Sequence, residues 1–138
     1  MKNPSEVIGA VGFSSMTIRP GDSAIAMGLG DLPIASASHF LNLAESAALT
    51  AVSEFLDSGE TSRLARVSCE MFEAVAIGFS IRATATCTQI EGKTLFFDCE
   101  IFEGERKVCA IKMERAVVER VSFLARTAAQ SIIGQQIN

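Results

Sequence analysis

The 138-residue sequence predicts an α+β domain in which one curved antiparallel sheet wraps around a single long helix. Three observations predict it. One helical pattern rich in Ala and Leu runs from Ser36 to about Leu56, four strand-like runs follow it, and Gly-centred turns join the last three of those runs. Helices and strands do not alternate as a parallel sheet with crossover helices would require.

In chain order, Phe13–Ile18 and Ser23–Met27 are short strand candidates, with Pro20-Gly21-Asp22 between them as turn chemistry. Gly28-Leu29-Gly30-Asp31-Leu32-Pro33 reads as a loop, because two glycines and a proline break either regular structure. The long helix has Ser36 or Ser38 available as N-cap and Asp57-Ser58-Gly59 as its stop. At about 100° per residue, Phe40, Ala44, Ala47, Ala48, Ala51, Val52 and Phe55 share one broad arc. Ser38, His39, Asn42, Ser46, Thr50 and Ser53 share the other, and Glu45 sits at the seam. So much alanine on the apolar arc suits a helix lying close against a sheet. The strands are expected over Arg63–Ala76, Phe79–Glu91, Thr94–Glu103 and Lys107–Glu119, the last three forming a meander through turns at Gly92 and Gly104. Val121–Gln130 reads as a closing helix and Ser131–Asn138 as a polar, frayed tail, so that residues 1–138 make one domain.

Composition narrows the function. Hydrophobic residues make up 49% and charged residues 20%, which supports a packed core rather than disorder. A net charge of -4 and the absence of Trp and Tyr supply neither a basic stripe nor the usual stacking groups, so nucleic acid is not an expected partner. No run approaches the roughly 18 to 20 apolar residues of a membrane helix, and no membrane association is expected. Met1–Glu6 lacks the pattern of a secretory leader, so a cytoplasmic address is expected. Cys69, Cys87, Cys99 and Cys109 are spaced by 18, 12 and 10 positions, matching neither a CxxC pair nor close zinc-ligand pairs. The expectation is free, buried thiols, no metal and no bound cofactor. The single GxG at Gly28 follows no buried strand of a βαβ unit and does not indicate a nucleotide site.

Several segments carry a resemblance in one register across about 85 residues: Phe40-Leu41-Asn42-Leu43-Ala44-Glu45-Ser46-Ala47, Phe55-Leu56-Asp57-Ser58-Gly59-Glu60, Glu73–Gly78, Glu91–Leu95, and Met113–Val118 with the closing Phe123. They resemble the hotdog-fold thioesterases, in particular the fluoroacetyl-CoA thioesterase-like group. The resemblance implies a hotdog fold and a homodimer, with further pairing of dimers left open. It also implies an acyl-CoA or acyl-carrier thioester, bound as substrate or ligand beside the long helix of one subunit and the sheet of the other. A helix carboxylate is central to that family, and Glu45 matches it. Its seam position independently suggests partial withdrawal from water, which makes a carboxylate a stronger base.

The departures from the family pattern are specific. The similar thioesterases carry a catalytic Thr near the helix start and a catalytic His on the following strand, where this chain has Ala37 and Met71. Other hotdog thioesterases pair a helix carboxylate with a backbone N–H about eight residues earlier, which here is Ala37 or Ser38. Unpaired N–H groups at the positive end of a helix can stabilise an oxyanion whatever the side chain. Glu45 would then activate water or attack the carbonyl itself. Ser36, Ser38 and Asn42 lie near this candidate oxyanion site, though capping explains them equally. Phe40, Met71 and Phe72 are candidates for an apolar acyl pocket, with core packing as the plainer account.

His39 is the sole histidine, about 9 Å of rise and 120° of turn from Glu45, so the two cannot touch within one helix; an exposed surface group is its plain reading, and a pocket residue that meets Glu45 across the dimer is its functional one. Arg63, Arg66 and Arg82 are candidates for meeting CoA phosphates or are ordinary surface. Glu70 and Glu73 are expected to face away from the pocket. Three functions remain open: a thioester hydrolase using Glu45, a non-catalytic hotdog module that binds an acyl thioester or small apolar ligand, and a dehydratase. Ala37 and Met71 favour the binding module over the hydrolase, and the poorly placed His39 puts the dehydratase last.

Overall fold

The computed structural model describes residues 1–137, with side chains to residue 134. Its elements are α1 (Pro4–Val7), β1 (Val11–Thr17), α2 (Ala37–Val52), β2 (Glu60–Met71), β3 (Ser80–Glu91), β4 (Thr94–Glu103), β5 (Arg106–Glu119) and α3 (Arg120–Ile137). The strands form one antiparallel sheet in the order β1-β3-β4-β5-β2, so β3, β4 and β5 are the expected meander and β1 and β2 are its edges. Gly92 and Gly104, both at φ 60°, make the two tight turns of the meander, a left-handed conformation that side chains with a Cβ rarely adopt.

The inward row of β3, Ile81, Ala83, Ala85 and Cys87, lies beside the inward row of β4, Leu95, Phe97, Cys99 and Ile101. All eight are buried beneath α2, which contributes Phe40, Leu43, Ala44, Ala47, Ala48, Ala51 and Val52. The alanine-rich arc allows the helix to approach closely, and Gly12 marks how closely. A Cβ built there would lie 2.0 Å from the Ala47 carbonyl oxygen and 2.5 Å from the Ala51 nitrogen, so the backbone of β1 sits directly on α2.

Several expectations need correction. Ser23–Met27 is not a strand. Ser23 Oγ accepts from the Ala26 N–H and donates to the Pro20 carbonyl, and Met27 N–H reaches back to the Ser23 carbonyl. These local bonds close a turn, leaving only an isolated bridge between Ser23 and Ala35. Strand β2 ends at Met71 rather than near Ala76. The closing helix continues through the segment expected to fray, reaching Ile137, and Asn138 lies outside the described residues. The short α1, whose Val7 is fully buried, was not expected.

Cys87, Cys99 and Cys109 are buried as expected, and burial pushes the Cys99 and Cys109 thiols up to about 12. Cys69 departs from that expectation. It is exposed on edge strand β2, with its sulfur 3.5 Å from that of Cys109. Among the described residues, no helix is long and apolar enough to cross a membrane, and no group of three or more His, Cys, Asp or Glu is arranged to hold a metal.

Candidate functional site

The inward row of β2 differs from its neighbours. Pairing with β5 points Ser62, Leu64, Val67, Cys69 and Met71 to the same face as the buried Val117, Arg115, Met113, Ile111 and Cys109. A bulge between Leu64 and Arg66 keeps this row facing inward. Yet α2 does not cover it, and Val67 and Met71 stay 37% and 43% exposed. The flank of α2 and this row therefore border an open, largely apolar trough.

At one end of the trough, the amino-terminal end of α2 forms a cleft of about 410 Å³ with the end of β2 and the preceding loop. Ala24, Leu29, Ile34, Phe40, Met71 and Phe72 give it apolar walls, and Ser36 and Ala37 stand at the helix start. Ser36 occupies the N-cap position with extended backbone, but its hydroxyl bonds that of Ser38 at 2.9 Å instead of capping a backbone N–H. Among the described residues, the N–H groups of Ala37 and Ser38 have no hydrogen-bond partner, as the first helix positions dictate. Glu73 also lines this cleft and pairs with Arg106, whose Nη2 donates to the Ala74 carbonyl. The expectation that Glu73 faces away is thus corrected: the chain turns after Met71, and strand alternation ends there.

Farther along the same helix, Glu45 is where the seam position predicted, its side chain 29% exposed. The sequence did not reveal its partner. Arg115, only 4% exposed, donates from Nη1 to Glu45 Oε1 at 2.7 Å. Its Nε donates to Ser62 Oγ at 2.9 Å and its Nη2 to the Ser62 carbonyl at 3.0 Å. The signal was present as an Arg at an inward position of β5, between Met113 and Val117, where the alternation calls for an apolar residue.

The remaining candidates fall in three places. Ser36, Ala37, Phe40, Met71 and Phe72 meet in the cleft, whereas Ser38, His39, Asn42 and Glu45 are outside its lining. Asn42 is exposed on the helix surface. His39 is not the exposed group expected: it is largely buried, with Nε2 3.5 Å from Asp22 Oδ1 and no well-aligned hydrogen bond among the described residues. The three arginines do not converge. Arg63 lies over Phe123, Arg66 pairs with Glu114, and Arg82 donates to the Gly104 carbonyl over the Phe102 ring.

Known proteins with this architecture are plentiful among solved structures. A threonine-to-alanine variant of the fluoroacetyl-CoA thioesterase FlK, solved with fluoroacetate, superposes with a TM-score of 0.81 at 20% identity, covering 89% of this chain and 97% of that one. A hypothetical protein of Thermus thermophilus, described as a thioesterase superfamily member, gives a TM-score of 0.87 at 16% identity, covering 94% and 96%. A hot-dog-like protein from Thermanaerovibrio acidaminovorans gives 0.84 at 17% identity, covering 93% and 96%. These likenesses establish the hotdog fold. No curated protein sequence matches the chain. The family model for FlK, fluoroacetyl-CoA-specific thioesterase, matches residues 18–121, which include α2, the whole sheet beyond β1, and both ends of the trough. The chain therefore has the hotdog fold and belongs to the fluoroacetyl-CoA-specific thioesterase family.

Proposed function

We propose that the protein hydrolyses acyl-CoA-type thioesters as a homodimer, with Glu45 as the base and the first N–H groups of α2 as the oxyanion hole. The observation that carries this reading is the trough itself, which has an apolar cleft and unpaired helix N–H groups at one end and a carboxylate at the other. An acyl chain would lie among Phe40, Met71 and Phe72, with its carbonyl oxygen toward Ala37 and Ser38. Eight residues of helix separate Ala37 from Glu45, about 12 Å of rise. That span is longer than one bridging water covers, so it excludes direct attack by Glu45 on a carbonyl held at its own helix start and leaves the carboxylate to act through a relay of water. Glu45 would take a proton as the water oxygen adds to the carbonyl carbon. Collapse of the tetrahedral adduct breaks the C–S bond, and the departing thiolate recovers the proton.

The uncovered row of β2 supports the dimer. A long edge strand with unpaired backbone groups and exposed Val67 and Met71 is a pairing surface, and a second copy running antiparallel along β2 would roof both troughs. The fluoroacetyl-CoA chemistry for which FlK is named does not carry over to the acyl group here, because Ala37 and Met71 stand where the similar thioesterases have Thr and His. That same pair of residues supports a second reading, a module that binds an acyl thioester without cleaving it. A CoA thioester would be substrate in the first case and ligand in the second; an acyl-carrier thioester fits the trough equally.

The test is thiol release from short, branched, aromatic and long acyl-CoAs by the wild type beside Glu45→Gln. Turnover that falls at least about 10³-fold in a folded Glu45→Gln variant is expected. Absence of turnover on every substrate, with acyl-CoA still raising Tm, would replace hydrolysis by binding.

A further inference from the structure

We propose that Arg115 is the positioning residue for Glu45, fixing one carboxylate oxygen so that the other is presented to the water in the trough. The proposal rests on the hydrolase reading above and adds a residue and a geometry to it. Arg115 stands on the inward face of β5, opposite Leu95 on β4 and Leu64 on β2. A guanidinium there replaces an apolar side chain and must be both neutralised and fully hydrogen-bonded to be tolerated. Ser62 supplies two acceptors, its hydroxyl and its carbonyl, and thereby fixes the plane of the guanidinium from behind. Only Nη1 is left to reach α2, and it meets Glu45 Oε1 at 2.7 Å. Among the described residues no group bonds Glu45 Oε2, and the side chain is partly open to solvent. The carboxylate is therefore anchored at one oxygen and available at the other.

The fork geometry is what this arrangement uses. Nε and Nη2 engage one residue of β2 while Nη1 engages a helix, three directions in one rigid plane, which a lysine ammonium on a flexible stem does not reproduce. An anchored base needs little reorganisation as the water is deprotonated, and misplacement by about 1 Å can cost roughly 10²-fold in rate. The opposite assignment, in which Glu45 serves only to neutralise a buried Arg115, makes a different prediction. Under it, an apolar residue at position 115 would make the carboxylate dispensable and leave turnover unchanged.

The experiment compares kcat and KM, with Tm as a check on folding, for Ser62→Ala, Arg115→Lys, Arg115→Met, Glu45→Gln and the double variant Arg115→Met with Glu45→Gln. Positioning predicts a fall in kcat with KM within about twofold: roughly three- to tenfold for Ser62→Ala and about 10²-fold for Arg115→Met, with partial recovery in Arg115→Lys. The double variant should be no slower than Glu45→Gln alone, because the two act as a unit. If Arg115→Met does not fold, Ser62→Ala and Arg115→Lys decide. Folded variants at position 115 or 62 with wild-type kcat, beside an inactive Glu45→Gln, overturn the positioning role and leave the hydrolase standing. A wild type that cleaves no thioester overturns the hydrolase reading, and the positioning role with it.

Discussion

The two halves of the sheet carry the same alternation of inward apolar and outward polar residues, but only one half lies beneath the helix. On β3 the inward Ile81, Ala83, Ala85 and Cys87 are essentially inaccessible beneath α2, whereas on β2 the inward Val67 and Met71 remain 37% and 43% exposed. The difference follows from width. One helix lying over β1 and β3 cannot also roof the far edge of a five-stranded sheet. The covered half behaves as core and determines stability. The uncovered half has exposed apolar surface and a cleft, and both parts of the candidate site border it.

The sharpest way to break this comparison is to place one substitution in each half. Ala83→Asp would put a carboxylate under α2 with no partner, and loss of the folded state is expected, seen as absent cooperative melting. Val67→Asp on the uncovered row should leave the fold intact, with Tm close to that of the wild-type monomer, but abolish self-association in sedimentation velocity. Equal damage from both would mean that the two halves are not distinct.

A smaller effect is expected at the closest contact of the covered half. Gly12→Ala forces a methyl group against the Ala47 carbonyl and the Ala51 nitrogen, and both are backbone atoms that cannot turn aside. A loss of about 1–3 kcal/mol in urea unfolding is expected. The smallest perturbation is chemical labelling. With burial holding the Cys99 and Cys109 thiols near 12, both remain protonated at pH 9, and a folded protein should alkylate at Cys69 well before Cys87, Cys99 or Cys109. Slow labelling of Cys69 that accelerates in Val67→Asp would show that a second copy shields β2.

Much of this was legible in the residues. The 3.6-residue period of Phe40, Ala44, Ala47, Ala48 and Ala51 defined α2 and its buried face, and the glycines at 92 and 104 located the meander turns. The seam position of Glu45 was legible for the same reason, since periodicity reports angular position on a helix. The Ser23–Met27 segment was misread because its apolar residues suit a strand, while a single serine hydroxyl closes a turn through local bonds. Periodicity has no access to that competition. His39 was read as exposed because the sequence could not bring Asp22, 17 positions earlier, against it.

By itself, then, the sequence determined the long helix and its buried arc, the first strand and the four long strands after the helix, and that a carboxylate stands at the edge of that arc, because all of these are local or periodic properties of a chain. Only the tertiary structure decided what each inward residue meets. It placed Arg115 beneath Glu45, 70 positions away, with Ser62 behind it. It also left the β2 row uncovered, because coverage depends on where a helix of fixed width comes to rest on the sheet.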